Sequence, residues 1–124
     1  MVDDDAGSLR GMQLALIMLK HECDAYSDPV EAVANYPCHQ YDLVITDICM
    51  PVMNGFTLAE RIKGLASKPK IIFISGYAGY ASDMMEKPEV GEGGVFLQKP
   101  VEFCQLKETI DNVLTESEYG KRNI

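Results

Sequence analysis

The sequence predicts an α/β domain built on a doubly wound parallel sheet. Strand-like apolar runs at 43–46, 70–74 and 95–97 alternate with segments whose apolar residues recur at helical spacing. That alternation is typical of a parallel sheet covered by helices on both faces. The strand runs are apolar without alternation, as strands buried on both sides require. With 124 residues, the chain is expected to form one domain.

Four helices are predicted around these strands. One spans Ser8–Lys20 with Ser8 as its cap, one begins at Pro29 and ends before Tyr36, one follows Gly55 and ends near Gly64, and one runs from Phe103 to Leu114. Cys23–Tyr26 carries a weaker strand signal. The segment 76–94 contains five glycines and Pro88, so any helix there, such as 81–87, is short. We expect a domain over 1–114 and a polar C-terminal tail over 115–124.

The first strand is the weak point of this prediction. Only Met1 and Val2 precede Asp3, and a central strand of two residues would leave backbone groups of its neighbours unpaired. Either the start is misassigned or cut, or the first strand is unusually short. The sequence does not separate these cases.

Charge and composition restrict the function. A net charge of −8 and a pI near 4.6 argue against nucleic acid or an anionic membrane as a direct partner. No apolar run reaches the ~18 residues of a membrane span, and no signal peptide is present, which predicts a cytoplasmic protein. The four cysteines show no CxxC pairing or zinc-site spacing and are expected to be reduced thiols.

Carboxylates follow two of the predicted strands. Asp47 ends the run at 43–46, and Asp3 and Asp4 follow the first strand. In a doubly wound sheet these strand ends can be adjacent, which would bring the carboxylates together. Mg²⁺ prefers such hard oxygen ligands. Asp4 and Asp47 would then hold the ion, with Asp3 acting directly or through water. Taken alone, the acidic start could instead be solvated, with one aspartate capping a helix.

Three side chains would supply the groups that phosphoryl transfer to a protein needs: a nucleophile, a positive charge and a hydrogen-bond donor. Asp47 could be the nucleophile that forms an aspartyl phosphate. Lys99, after the strand at 95–97, could neutralise charge on the transferring group. The Ser75 hydroxyl, after the strand at 70–74, could hydrogen-bond a phosphoryl oxygen. The alternatives are a surface lysine before Pro100 and a turn-forming serine in Ser75–Tyr77.

Four motifs together resemble the receiver domain of bacterial two-component response regulators: VDDD, LVITDICMPVMNGF, IIFISGYA and VFLQKP. The resemblance runs from about Val2 to Leu114. It implies a five-stranded sheet of flavodoxin-like order 2-1-3-4-5, here with an unusually short first strand. It also implies site roles: Asp47 as phospho-acceptor, Asp3 and Asp4 as acidic pocket, Lys99 as phosphate-binding lysine, Ser75 and Phe96 as switch residues, and the backbone carbonyl of Cys49 as a further Mg²⁺ ligand. The alternative for Phe96 is a core residue.

The resemblance implies a signalling cycle rather than turnover of a separate substrate. A sensor histidine kinase or histidine phosphotransfer protein would supply the phosphoryl group, and a downstream protein or an output domain outside this sequence would read the result. A phosphorylation-dependent dimer is a further expectation. Cys49 and Tyr77, which flank the path of an attacking water, carry no amide or carboxylate, so autodephosphorylation should be slow.

Two alternatives remain at this stage. A phosphatase of the haloacid dehalogenase type needs a second aspartate two residues after its nucleophile, and that position is Cys49. A receiver-like scaffold that is never phosphorylated is the other, and it depends on whether the short first strand holds Asp3 and Asp4 in place.

Overall fold

The computed structural model describes residues 1–36, 41–65, 70–76 and 94–122, with 65, 94 and 115–122 described by their backbone alone. Three parallel strands form its sheet in the order β1-β2-β3: β1 (Leu43–Asp47), β2 (Lys70–Ser75) and β3 (Gly94–Gln98). Asp47 lies opposite Ile74 in β2, and Ser75 lies opposite Gln98 in β3. The three apolar runs are therefore confirmed as parallel strands.

Four helices occur in the described part of the chain: α1 (Ala6–Met18), α2 (Pro29–Asn35), α3 (Gly55–Leu65) and α4 (Phe103–Arg122). The predicted start of α1 at Ser8 is wrong, because Asp5 is the N-cap. Its side chain accepts from the Gly7 amide and from the Ser8 hydroxyl. In α2, Pro29 follows the capping Asp28, as predicted for a helix start.

The polar segment after Leu114 continues α4 as far as Arg122, so most of the predicted tail is helical. The predicted domain boundary at 114 stays a prediction. The helix suggested for 81–87 lies outside the described residues. No helix among the described segments is long and apolar enough to cross a membrane.

The first strand is short but paired on both sides. Val2 forms parallel bridges to Tyr26 and to Thr46 of β1. Its amide donates to the Ile45 carbonyl at 2.8 Å, and its carbonyl accepts from the Asp47 amide at 2.9 Å. The order Tyr26, Val2, β1, β2, β3 is consistent with the predicted 2-1-3-4-5 arrangement, with the first two positions reduced to single bridges.

The core consists of two groups of apolar side chains. One joins Val2 and alternate strand residues to α2 and α3: Ala32, Tyr36, Val44, Phe56, Leu58, Ile62, Ile71 and Phe73 are among its members. The other joins the remaining strand residues to α1 and α4: Leu16, Ile45, Ile72, Ile74, Leu97, Leu106, Ile110 and Val113. Successive strand residues point to opposite faces, so both faces of the sheet are covered, as a doubly wound fold requires.

Val2 tests how much the short first strand contributes to stability. Its side chain is 3% exposed in the core, and we expect Val2→Ala to lower the free energy of unfolding by about 2 kcal/mol. The control is Val30→Ala, because Val30 is 47% exposed on α2 and should change stability by about 0.5 kcal/mol or less. Urea unfolding measures both. Equal, small effects would mean that the first strand is not part of the cooperative fold.

Candidate functional site

A carboxylate cluster forms where the first strand meets the end of β1. Because Val2 pairs with β1, the next residue, Asp3, comes beside Asp47. One oxygen from each of Asp3, Asp4 and Asp47 lies within 4.8 Å of the others. Asp3 is fully buried, Asp47 is 8% exposed and Asp4 is exposed. Buried carboxylates beside an open one form a pocket that solvent, or a cation, can reach from one side.

Lys99 supplies a positive charge to this cluster. Its Nζ lies 2.9 Å from Asp3 Oδ2 and 3.3 Å from Asp47 Oδ2. The residue follows β3, its backbone amide donates to the Ser75 carbonyl at 2.8 Å, and the Lys99–Pro100 peptide is cis. The other Asp3 oxygen accepts from the Asp5 amide at 2.9 Å. Both carboxylate oxygens of Asp3 therefore accept hydrogen bonds, whereas Asp47 shares the Lys99 ammonium with Asp3.

The environment moves the pKa values of two of these groups. Burial raises the pKa of the Asp47 carboxyl above its ordinary value; the Lys99 charge opposes that shift and the Asp3 charge adds to it. For Lys99, burial works to lower the pKa of the ammonium. The hydrogen bond and charge of Asp3, with the charge of Asp47, outweigh that effect and raise it. Lys99 therefore stays charged at neutral pH, and the pocket remains short of positive charge.

The loop after Asp47 is tightly packed against it. The Gly55 amide donates to the Ile48 carbonyl at 2.8 Å, and a Cβ at Gly55 would overlap the Asp47 carbonyl oxygen and lie 3.0 Å from the Ile48 Cα. Val52 has φ 72°, and the Met53 amide bonds to the Pro51 carbonyl across it, which makes a strained γ-turn. Glycine at 55 lets α3 begin directly against the backbone of Asp47 and Ile48.

The remaining predicted residues lie at different distances from the cluster. Ser75 ends β2 and is 7% exposed, joined to the site through its carbonyl bond with Lys99. Phe96 is half-buried on β3, with its ring 5.4 Å from Phe73 and 6.4 Å from Phe56 between centroids. The Cys49 thiol is exposed. Tyr77 lies outside the described residues.

Sequence reasoning brought together the four charged residues that meet here: Asp3, Asp4, Asp47 and Lys99. It missed the helix cap at Asp5 and the backbone contact at Gly55. A signal for the second was present, since a glycine eight residues after a strand-end aspartate and just before a helix suggests close approach of backbone. The shorter contact of Lys99 with Asp3 than with Asp47 had no signal in the sequence.

The site thus combines two buried carboxylates, Asp3 and Asp47, with the exposed carboxylate of Asp4 and with Lys99, which follows β3. This arrangement is typical of a phosphoryl-accepting receiver module in an α/β signalling protein. The family model described as "Response regulator receiver domain" matches residues 1–111, and the chain belongs to that family. It is a signalling domain of two-component systems rather than an enzyme acting on a separate substrate.

Known proteins similar to the chain carry the same module. The chemotaxis protein CheY of Bacillus subtilis is 30% identical over 117 residues, which cover 92% of this chain and 95% of CheY. A CheY-like receiver domain from Methanospirillum hungatei has a TM-score of 0.84 at 28% identity, covering 96% and 94% of the two chains.

A third similarity is to part of a larger protein. The autoinducer 1 sensor kinase/phosphatase LuxN of Vibrio campbellii is 34% identical over 87 residues, or 69% of this chain. The chain spans about 10% of the length of LuxN. These comparisons give no support to a haloacid dehalogenase-type phosphatase or to a scaffold that is never phosphorylated.

Gly55 and Gly64, both in α3, form a matched pair for testing the backbone contact at the site. Because a Cβ at Gly55 meets backbone rather than a flexible side chain, Gly55→Ala should lower the free energy of unfolding by about 2 kcal/mol. A Cβ at Gly64 meets nothing within 4 Å, so Gly64→Ala should raise it by up to about 1 kcal/mol. Urea unfolding should therefore show changes of opposite sign in the free energy of unfolding of the two variants. An increase in both would contradict the backbone contact at Gly55.

The raised pKa of Asp47 predicts a pH-dependent destabilisation of the metal-free protein. The folded state binds the Asp47 proton more tightly than the unfolded chain does. The resulting loss of stability is therefore absent below the ordinary carboxyl pKa, grows as the pH rises to the raised value, and is constant above it. Asp47→Asn should accordingly raise the free energy of unfolding at pH 7 by about 1 kcal/mol, with no gain in acid.

The control for that prediction is Asp42→Asn, because Asp42 is exposed at the other end of the sheet. Both variants are measured by chemical denaturation in chelator across the acid range. A destabilised Asp47→Asn at neutral pH would show that the Lys99 contact outweighs burial at this carboxylate.

Proposed function

We propose that Asp47 accepts a phosphoryl group from a phosphohistidine on a sensor histidine kinase or a histidine phosphotransfer protein. The observation that carries the proposal is the position of its carboxylate, at the end of β1, 3.3 Å from the Lys99 ammonium and grouped with two further carboxylates. Asp4, unlike Asp47, is exposed, and Asp3 is committed to Lys99 and the Asp5 amide. Asp47 is thus the buried carboxylate with an oxygen left for reaction.

The residues present fit a Mg²⁺ site, as receivers have at their acidic pocket. Three carboxylates within 4.8 Å of one another offer the hard oxygen ligands that this ion prefers. We assign Asp4, Asp47 and the backbone carbonyl of Cys49 as its protein ligands, with Asp3 binding directly or through water. When bound, the ion would neutralise negative charge on the transferring phosphoryl group.

In the transfer step, an Asp47 carboxylate oxygen attacks phosphorus, the P–N bond to the donor imidazole breaks, and its electron pair stays on the imidazole nitrogen. Lys99 is already beside the other oxygen of this carboxylate, Oδ2, and stays protonated because its pKa is raised. Its ammonium can pass from Asp47 to a phosphoryl oxygen without leaving Asp3. The Ser75 hydroxyl, at the end of the neighbouring strand, would then hydrogen-bond the phosphoryl group.

The readout would pass from Ser75 and Lys99 to a surface that includes β3 and α4. The segment 76–94, which we expect to belong to the same surface, lies outside the described residues except at its two ends. Phe96 is our proposed switch residue; its ring is half-buried, with its centroid 5.4 Å from that of Phe73. A protein partner is also supported by the apolar face of α1, where Leu14, Ile17 and Met18 are each more than half exposed. A cytoplasmic location, a downstream protein or output domain and a phosphorylation-dependent dimer belong to the same proposal.

The assignment is tested by incubation with Mg²⁺ and acetyl phosphate, followed by intact-mass spectrometry. We expect wild type and Asp42→Ala to gain one phosphoryl group and Asp47→Ala to gain none. Lys99→Ala should keep the acceptor but react at least about tenfold more slowly, because it loses a charged contact to the transferring group. A mass gain that persists in Asp47→Ala would place the acceptor elsewhere.

Autodephosphorylation is expected to be slow, with a half-life of minutes or longer. The thiol of Cys49, exposed beside the acceptor, orients an attacking water poorly compared with an amide or a carboxylate. Cys49→Asn should therefore shorten the half-life several-fold, whereas Cys104→Asn on α4 should leave it unchanged. Decay of the phosphorylated protein in Mg²⁺ measures this. A wild-type half-life of seconds would contradict the expectation.

A further inference from the structure

Asp5, the third of three consecutive aspartates, has its carboxylate bound to α1. Its Oδ1 accepts from the Gly7 amide at 3.3 Å, and its Oδ2 accepts from the Ser8 hydroxyl at 2.8 Å. The Asp5 carbonyl accepts from the Leu9 amide at 2.9 Å, which makes Asp5 the N-cap of the helix. Among the described residues, the carboxylates grouped closely enough to hold a metal ion are Asp3, Asp4 and Asp47. The Asp5 side chain is therefore a helix cap rather than a candidate ligand.

The backbone amide of Asp5 holds the acidic pocket. It donates to Asp3 Oδ1 at 2.9 Å, while Asp3 Oδ2 accepts from the Lys99 ammonium at 2.9 Å. The Asp3 side chain is only 1% exposed, so water has little access to replace a lost donor. A buried carboxylate oxygen without a donor is unfavourable. The direction of this one peptide amide thus fixes the Asp3 carboxylate and, through it, the Lys99 ammonium.

The Asp4 backbone is held from both sides by the same arrangement. Before it, the Asp3 amide donates to the Tyr26 carbonyl at 3.1 Å. After it, the Asp5 amide is bonded to Asp3 and the Asp5 carboxylate caps α1. The Asp4 side chain is exposed, so packing does not fix its carboxylate. Its place in the group with Asp3 and Asp47 depends on the direction of its backbone.

We infer that Asp5 is a positioning residue for the Mg²⁺ pocket and for Lys99. Its carboxylate caps α1, the cap fixes the direction of the Asp5 amide, and the amide orients Asp3 and the peptide that carries Asp4. The three consecutive aspartates then have different tasks: Asp3 binds Lys99, Asp4 faces the cation, and Asp5 holds both in place from outside the ligand set. The inference rests on the proposed function and adds to it a residue that does not touch the ion.

The test compares substitutions at the cap by isothermal titration calorimetry with Mg²⁺. Asp5→Asn removes the charge but keeps a side-chain acceptor for the cap. Because salt screens an exposed charge, its Mg²⁺ dissociation constant should stay within about threefold of that of wild type at about 0.15 M ionic strength. Asp5→Ala removes the cap, so its dissociation constant should rise at least about tenfold, as for loss of a group that orients a metal ligand. Ser8→Ala, which removes only the 2.8 Å capping bond, should fall between the two.

A second measurement uses the metal-free protein in chelator. Hydrogen exchange followed by NMR should show the amide at position 5 at least about tenfold less protected in Asp5→Ala than in wild type or Asp5→Asn, because that amide no longer stays on Asp3. A purely structural effect of losing a cap would not be confined to this amide and to Mg²⁺ affinity.

The matched control is Asp28→Ala, because Asp28 is the exposed N-cap of α2 and accepts from the Val30 amide at 2.9 Å. Loss of this cap should lower the urea midpoint about as much as Asp5→Ala does. It should leave both the Mg²⁺ dissociation constant, within about threefold, and the protection of the Asp5 amide as in wild type.

The outcomes separate this inference from the proposed function. A wild-type protein that neither binds Mg²⁺ nor gains a phosphoryl group would overturn both. If wild type does both, the positioning role alone is overturned when Asp5→Ala binds Mg²⁺ as tightly as Asp28→Ala does. It is also overturned when Asp5→Asn binds as weakly as Asp5→Ala, since Asp5 would then act through its charge.

Discussion

The pairing of Val2 with β1 is the interaction on which the site depends. Two backbone hydrogen bonds, to Ile45 and from Asp47, fix the distance between Val2 and the strand that carries Asp47. Asp3 is the next residue, so the backbone pairing of Val2 with β1 places the Asp3 carboxylate beside that of Asp47. The bonds to Tyr26 on the other side prevent this short segment from fraying. Side-chain attraction could not do this, because three carboxylates repel one another.

That repulsion is reduced by one lysine but not removed. Lys99 contacts Asp3 more closely than Asp47, so Asp47 keeps an incompletely neutralised charge in a largely buried position. The electrostatic free energy of such a pocket is unfavourable when it is empty and becomes more favourable when a divalent cation binds. The charge of the carboxylates can therefore favour a divalent cation without a rigid set of ligands. In the proposed transfer, the same imbalance would let Lys99 contact the incoming phosphoryl group while it remains bound to Asp3.

Much of this could be predicted from the sequence because the strongest signals are local. The largely apolar runs at 43–46 and 70–74 predict buried parallel strands, and the residue after each run marks the end of a strand. Asp47 and Ser75 followed from that rule, and Lys99 followed from its place two residues after the run at 95–97. The start of α1 did not, because Asp5 and Ser8 are both good caps and their competition is decided by how Asp3 holds the Asp5 amide. The length of α4 was missed because its last turns lack the apolar periodicity on which the prediction relied.

The contact between Lys99 and Asp3 also has a consequence for synthesis of the chain. The two residues are separated by 96 positions, so the acidic pocket joins segments that are far apart along the chain. While the ribosome has synthesised only the segment up to β1, Asp3, Asp4 and Asp47 are present without the positive charge of Lys99. The nascent domain can bury apolar side chains along β1 and β2, but its acidic pocket is completed only when β3 and Lys99 have emerged.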